Sequence, residues 1–226
     1  MIAIPSSLIE GLDRSPRDRP VVVLLRHSER PPIPKGELGQ SLPLTTEGVA
    51  LASGLGRIFG GRLLGLRSSP IRRCLETGSA IAIGAEGHVQ VTPDRLLEGP
   101  GSYVAEEKAA LDTFLTVGHE AMLMRTMRTR KPLPGFHEPT AAARRLIESM
   151  LGCAKAGRQP GFHVFVTHDF LITLTAAMAF DEVLERPDWP RFLEGLFAWE
   201  GDTGDVIVRY RGRERPPSWS RSTVPS

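Results

Sequence analysis

The chain has 226 residues, 41% apolar and 24% charged, an ordinary globular composition with length enough to bury a sizeable core. Its formal net charge of +2 is too balanced to mark a nucleic-acid binder. The first residues lack the basic start and apolar core of a secretion signal, and the longest apolar run, Phe170 to Phe180, falls short of the roughly 20 residues that span a bilayer. These features predict a cytoplasmic chain with neither membrane nor nucleic acid as partner, and they leave the oligomeric state open.

In chain order, residues 1–19 read as a loose arm of Pro, Ser and mixed charge. Pro20 to Leu25 is a continuous apolar, β-branched run, the pattern of a strand buried on both faces of a parallel sheet. A Pro/Gly-rich loop follows, from Pro31 to Pro43, and Thr45 or Thr46 caps a helix running to about Phe59. Leu63 to Leu66 is a short strand. At Ser68-Ser69-Pro70 a helix begins, with Ser69 as N-cap and Pro70 as first helical residue. It carries Ile71, Cys74, Leu75, Gly78 and Ala82 on one face. Val89 to Val91 is another short strand, and the loop Leu97 to Gly101 follows it. Helical patterns run from Glu106 to Val117 and from Thr140 to Ala156. Phe162 to Val166 is a second strong strand, Phe170 to Phe180 a helix apolar nearly all round, and Val206 to Tyr210 a closing strand. Residues 212–226 read as a flexible tail. Cys74 and Cys153 both read as buried free thiols, and Trp189 and Trp199 flank an insertion best explained by core packing.

This alternation predicts one domain over 1–226, a three-layer α/β/α architecture around a mainly parallel sheet. Ligands of such sheets sit beyond the carboxyl ends of the strands. Arg26 and His27 end the first strand and His168 ends the second strong one, so one arginine and two histidines open onto one crevice. A phosphate monoester is nearly a dianion near neutral pH and hydrolyses extremely slowly unaided. Its transfer needs an in-line nucleophile, charge neutralisation and a proton for the leaving group. Neutral imidazole supplies the first, and the planar, permanently charged arginine fork supplies the second.

The run Leu24-Leu-Arg-His-Ser-Glu-Arg30 resembles the RHG-type motif of the histidine phosphatase superfamily, which includes phosphoglycerate mutases and acid phosphatases. Leu44-Thr-Thr-Glu-Gly48, Ser68 to Thr77, Leu96-Leu-Glu98 and Val166-Thr-His-Asp169 match further motifs in order, so the resemblance covers residues 20 to 180. It implies a phosphoglycerate mutase-like fold and transfer of phosphate to His27. Arg26 and Arg73 would bind phosphate, His168 would stabilise the transferring group, and Arg30 would add a phosphate contact as in the acid-phosphatase form. Helical phase supports Arg73 over Arg72, which reads as solvated surface. A single histidine at a strand end is usually structural; two inside these motifs reverse that reading. The proton donor is either Glu98, as in the mutase branch, or Asp169, as in the acid-phosphatase branch. Asp169 also reads as an N-cap before an apolar helix.

Position 28 is Ser where the family usually has Gly, which puts efficiency in question. His88, His119, His137 and His163 are scattered, His163 reading as a satisfied core residue, so neither a metal site nor another cofactor is expected. The implied activity is metal-independent hydrolysis of a small phosphorylated substrate or a phosphoprotein. Its rivals are a mutase and a phosphate-binding module without turnover. The Met- and Arg-rich stretch Met122 to Arg130 either supplies Arg125 or Arg128 to an anionic substrate or forms a solvated basic face.

Overall fold

The run after Pro20 forms strand β1 (Pro20–Arg26), in which Val21 to Leu25 are all fully buried in the computed structural model. The structure describes residues 3–34, 39–86, 89–157 and 159–222. Strands β2 (Leu63–Ser68), β3 (Val91–Pro93) and β4 (Gly161–Thr167) run parallel with β1. Strands β5 (Gly195–Glu200), β6 (Val206–Tyr210) and β7 (Arg213–Arg215) continue the sheet in antiparallel fashion. The order across the seven strands is β3-β2-β4-β1-β5-β6-β7, so the two edges are strands of three residues each.

Alternate residues of the inner strands face two separate cores. Helices α1 (Ser6–Arg14), α2 (Thr46–Phe59) and α3 (Arg72–Gly84) cover the face that takes Val21, Val23 and Leu25. Helices α5 (His119–Thr129), α6 (Pro139–Lys155) and α7 (Asp169–Phe180) cover the face that takes Val22 and Leu24; α4 (Glu107–Val117) precedes α5. Three layers result, as the sequence predicts, and α7 is buried all round, as its unbroken apolar run requires. Among the described residues no helix is long and apolar enough to cross a membrane.

The ends of the chain differ from expectation. The stretch read as a loose arm contains α1, because Leu8 and Leu12, one turn apart, drop into the core beside Phe197. The stretch read as a flexible tail contains β7 and a 3₁₀ turn, Ser218–Ser222. Arg211 and Gly212, both at positive φ, form the two-residue loop of a tight hairpin between β6 and β7. Trp219 then packs against the core around α7. The supposed insertion between Trp189 and Trp199 holds β5, and both tryptophans are core residues. Buried on both faces between β1 and β6, β5 shows no polar alternation that would mark it as a strand. Cys74 is buried and Cys153 half-buried, both unpaired.

One feature of the topology decides where a ligand goes. β1 and β4 are neighbours, but the chain leaves β1 toward α2 on one face and leaves β4 toward α7 on the other. Parallel strands whose following connections part to opposite faces open a crevice at their carboxyl ends.

Candidate active site

Arg26 pairs with Thr167 in the last rung of the β1–β4 ladder, so His27 and His168 leave adjacent strands side by side. The His27 N–H donates to the Thr167 carbonyl at 2.9 Å, and the imidazole centroids stand 5.5 Å apart. His27 Nδ1 lies 2.7 Å from the Ser28 carbonyl oxygen. A carbonyl only accepts, so Nδ1 carries the hydrogen and Nε2 keeps its lone pair. That Nε2 accepts from Arg73 Nε at 3.1 Å. Another donor of the same guanidinium, Nη2, reaches His168 Nδ1 at 3.0 Å. The hydrogen of His168 therefore sits on Nε2, 3.2 Å from Ser69 Oγ. One arginine thus bridges both imidazoles.

Arg73 reaches this place from the first turn of α3, its side chain pointing back toward the helix N-terminus. The helix opens at Arg72 rather than Pro70. The Ser69 N–H still donates to the Val166 carbonyl at 2.9 Å, which keeps that residue extended along β4, and the turn falls on 70–71. Ser69 is accordingly not the N-cap; its hydroxyl serves His168. Arg72 is exposed and paired with Glu76 at 2.7 Å, the solvated neighbour that the helical phase implies.

Arg26 donates from Nη1 to the Pro190 carbonyl at 2.7 Å and pairs through Nη2 with Asp169 at 3.0 Å. Its planar head lies 4.5 Å above the Phe192 ring. The buried Nε donors of Arg26 and Arg30 have no partner among the described residues. A buried donor left without an acceptor is costly, so each of these is open to an acceptor that the protein itself does not supply. Arg30, whose Nη1 donates to the Pro31 carbonyl, contributes its positive field to the same place: it depresses His168, as Arg26 and Arg73 do.

Burial, with these arginines, decides the protonation states. Desolvation, the neighbouring His168 and the charges of Arg26 and Arg73 hold His27 well below the usual imidazole range. Desolvation and Arg73 likewise press His168 down to about 3. Both rings are neutral near pH 7. Burial pushes the Cys74 thiol, 3.6 Å from His168 Nε2, up to about 12, which makes it an inert spacer.

Asp169 is the first residue of α7, and His168 occupies the N-cap position. The N-cap reading of Asp169 is therefore incorrect: its carboxylate turns from the helix N–H groups to Arg26 and to His119 Nε2 at 3.3 Å. Although desolvation opposes it, the hydrogen bond from His119 and the charge of Arg26 hold this carboxyl far below its usual range. Glu98 sits on a loop that leans on His168. The Leu97 carbonyl accepts from Thr167 Oγ1 at 2.6 Å, and a methyl added to Gly99 would stand 3.3 Å from His168 Cβ. The Glu98 carboxylate itself is turned to Arg95, 3.4 Å away, and is not drawn to either imidazole.

Ser28 is fully buried and keeps its hydroxyl out of the pocket, donating to the Gly48 carbonyl at 2.7 Å, while its N–H donates to Thr77 Oγ1 at 2.9 Å. Of the basic stretch, Arg125 is exposed, and Arg128 and Arg130 are engaged away from the site. His119, at the head of α5, meets Asp169 at the head of α7, whereas Arg130 binds the Ala177 and Glu182 carbonyls at the far end of α7, about 15 Å along the axis. Arg128 pairs there with Glu185. His163 is half-buried and its Nε2 lacks a partner among the described residues, so it is not the satisfied core residue expected. His88 lies outside the described residues. No group of three or more His, Cys, Asp or Glu is placed to hold a metal among the described residues. Sequence reasoning missed Ser69, His119 and Phe192. None of the three carries a local sequence signal, because their partners lie far off in the chain.

No family model matches the sequence, and no curated protein matches it significantly. Solved structures do. A phosphoserine phosphatase mutant from Entamoeba histolytica in complex with phosphoserine is similar at a TM-score of 0.56 and 14% identity, over 84% of this chain and 94% of that one. A mycobacterial glucosyl-3-phosphoglycerate phosphatase complexed with VO3 matches at 0.53 and 18%, over 86% and 100%. A phosphoglycerate mutase from Bacillus anthracis matches at 0.51 and 20%, over 89% and 94%. Over 84–89% of its length, the chain shares the fold of these phosphatases and of phosphoglycerate mutase.

Proposed function

We propose that the chain is a phosphatase that hydrolyses phosphate monoesters without a metal ion, through a phosphohistidine on His27. The observation that carries this reading is the Arg73 guanidinium held between His27 Nε2 and His168 Nδ1. It presents an unprotonated, buried nucleophile and a fixed cation within one hydrogen bond of each other. Arg26 and Arg30 add charge and unused buried donors. Similarity of fold to phosphatases and a mutase is consistent with phosphoryl chemistry but leaves the reaction to be argued from these residues.

In the proposed sequence, the three arginines neutralise the phosphoryl oxygens and His27 Nε2 attacks phosphorus in line. The P–N bond forms as the ester P–O bond breaks, and the leaving oxygen takes a proton. His168, shifting its Nε2 hydrogen from Ser69 Oγ to a phosphoryl oxygen, steadies the transferring group. Water then attacks phosphorus, the P–N bond breaks, and inorganic phosphate leaves with His27 restored. We assign the leaving-group proton to Glu98, whose loop rests on His168. Asp169 is engaged on both carboxylate oxygens, by Arg26 on Oδ2 and by His119 on Oδ1. Its part is to orient Arg26.

Labelled substrate and a rapid alkaline quench test the reading. Native protein should yield an acid-labile, base-stable phosphoenzyme and His27→Ala none. A native protein that turns over substrate without such an adduct, or an adduct that persists in His27→Ala, refutes the phosphohistidine mechanism.

A further inference from the structure

Outside the residues that would handle phosphate, one backbone outlier lies beside the nucleophile. Leu193 is buried yet has φ of +54°, a left-handed conformation that a branched side chain rarely takes. It is the third residue of a turn, Arg191 to Glu194, closed by Glu194 N–H to the Arg191 carbonyl and by Arg191 N–H to Glu194 Oε2. That position usually holds glycine in turns with positive φ there. The turn is fastened to the site itself: Leu193 N–H donates to the His27 carbonyl, and the Glu194 carbonyl accepts from Arg26 N–H. Such fastening fixes the second residue of the turn, Phe192. Its half-buried ring stands 5.5 Å from the His27 imidazole, against the Arg26 guanidinium.

Arg26 pairs on its other side with Asp169, and Asp169 with His119, so two rings flank one ion pair. The His119 side chain, 35% exposed, is set among Phe114, Phe170 and Trp189. His27, His168 and Arg73 lie deeper, each less than a tenth exposed. A phosphoryl group seated on them would leave its organic part at the level of these rings. Of the cations nearby, Arg26 is engaged by Asp169, Arg186 is stacked on Trp189, and Arg191, in the same turn as Phe192, is exposed to solvent.

We infer that Phe192 is a specificity-determining residue and that the substrates are phosphate monoesters whose leaving group presents an aromatic or similarly flat apolar face to it. The inference rests on the phosphatase reading above and names its substrate class. The ring is already held by Arg26 and by the turn, so a flat leaving group packs on it without ordering a mobile side chain.

Phosphonates test this without the confounding ease with which aryl oxygens depart. Competitive inhibition or calorimetry would compare ethylphosphonate, benzylphosphonate and 3-phosphonopropionate, with inorganic phosphate and tungstate as probes of the phosphoryl seat alone. Benzylphosphonate should bind about tenfold more tightly than ethylphosphonate. The ratio should collapse in Phe192→Leu and survive in Phe192→Tyr. Equal binding of all three, tightest binding of 3-phosphonopropionate, or a benzyl preference that persists in Phe192→Leu overturns the assignment while leaving the phosphatase reading intact. Failure to bind any phosphonate, phosphate or tungstate removes both.

Discussion

At the scale of single residues, Arg73 and Arg72 are a natural experiment. They are adjacent on one helix, but Arg73 spans two imidazoles and Arg72 spans one turn of surface. Arg73→Ala should lower kcat/KM on a simple phosphate monoester by about a hundredfold or more, the cost of one preorganised donor. Lysine at 73 should rescue little, because a point charge cannot reach both rings as a planar fork does. Arg72→Ala should change the rate less than about twofold, since such surface pairs contribute a few tenths of a kcal/mol. Equal effects from the two alanine variants would remove Arg73 from its assigned place. The distinction was legible in the sequence through helical phase. Phe192 and His119 were not, because their neighbours lie far off in sequence and no local spacing records them. Asp169 misled for a related reason: its position suited a cap, and only the packed structure brings Arg26 and His119 to its carboxylate.

Among the elements, the start of α2 is fastened to the segment that follows the nucleophile. Thr45 caps the helix, accepting from Gly48 N–H at 2.9 Å, as its position predicts. Ser28 bonds the Gly48 carbonyl, and Thr45 N–H bonds the Glu29 carbonyl. At Gly48 the backbones approach so closely that a Cβ would lie 2.3 Å from the Glu29 carbonyl oxygen. Gly48→Ala should therefore destabilise by about 1–3 kcal/mol despite the better helix propensity of alanine, and lower kcat/KM by shifting the segment that carries His27. Ser28→Gly, which puts glycine where the motif this run resembles usually has it, should cost about 1 kcal/mol for the lost hydrogen bond and keep most of the activity. Urea unfolding and steady-state assays of both variants decide it; a Gly48→Ala protein more stable than the parent sinks the argument. Elements with a strong local signature were read well: β1, β4, α2 and α7. Those whose pattern depends on partners were not. β5 is a strand because β1 and β6 flank it, α1 is held by the pocket that takes Leu8, and β7 is turned back onto β6 by a hairpin loop at Arg211-Gly212.

For the whole molecule, the two buried imidazoles set the acid side of its stability. Both have folded pKa values below the unfolded value of 6.5, His168 at about 3. Between those limits the unfolded chain takes up protons that the folded chain refuses. Their contribution is complete above pH 6.5 and is lost as pH falls toward the folded values. Asp169, depressed from 3.8, adds acid lability only below about pH 4. Unfolding free energy should drop between pH 7 and 5 by roughly 1–2 kcal/mol per histidine. His168→Gln should shallow that slope, and a flat profile in the parent would contradict neutral, buried rings. The layered fold and the crevice were themselves legible from the alternation of strands and helices; the antiparallel half of the sheet was not. That half, with β3 opposite, has a consequence for behaviour in crowded solution. One border of the sheet ends in Pro93, which has no N–H to offer, and the other presents only Arg213, Glu214 and Arg215. Both borders are too short and too ill-suited to template a foreign strand. Copies of this chain are thereby discouraged from zipping into continuous β-structure, and any assembly they form is steered toward their helical faces.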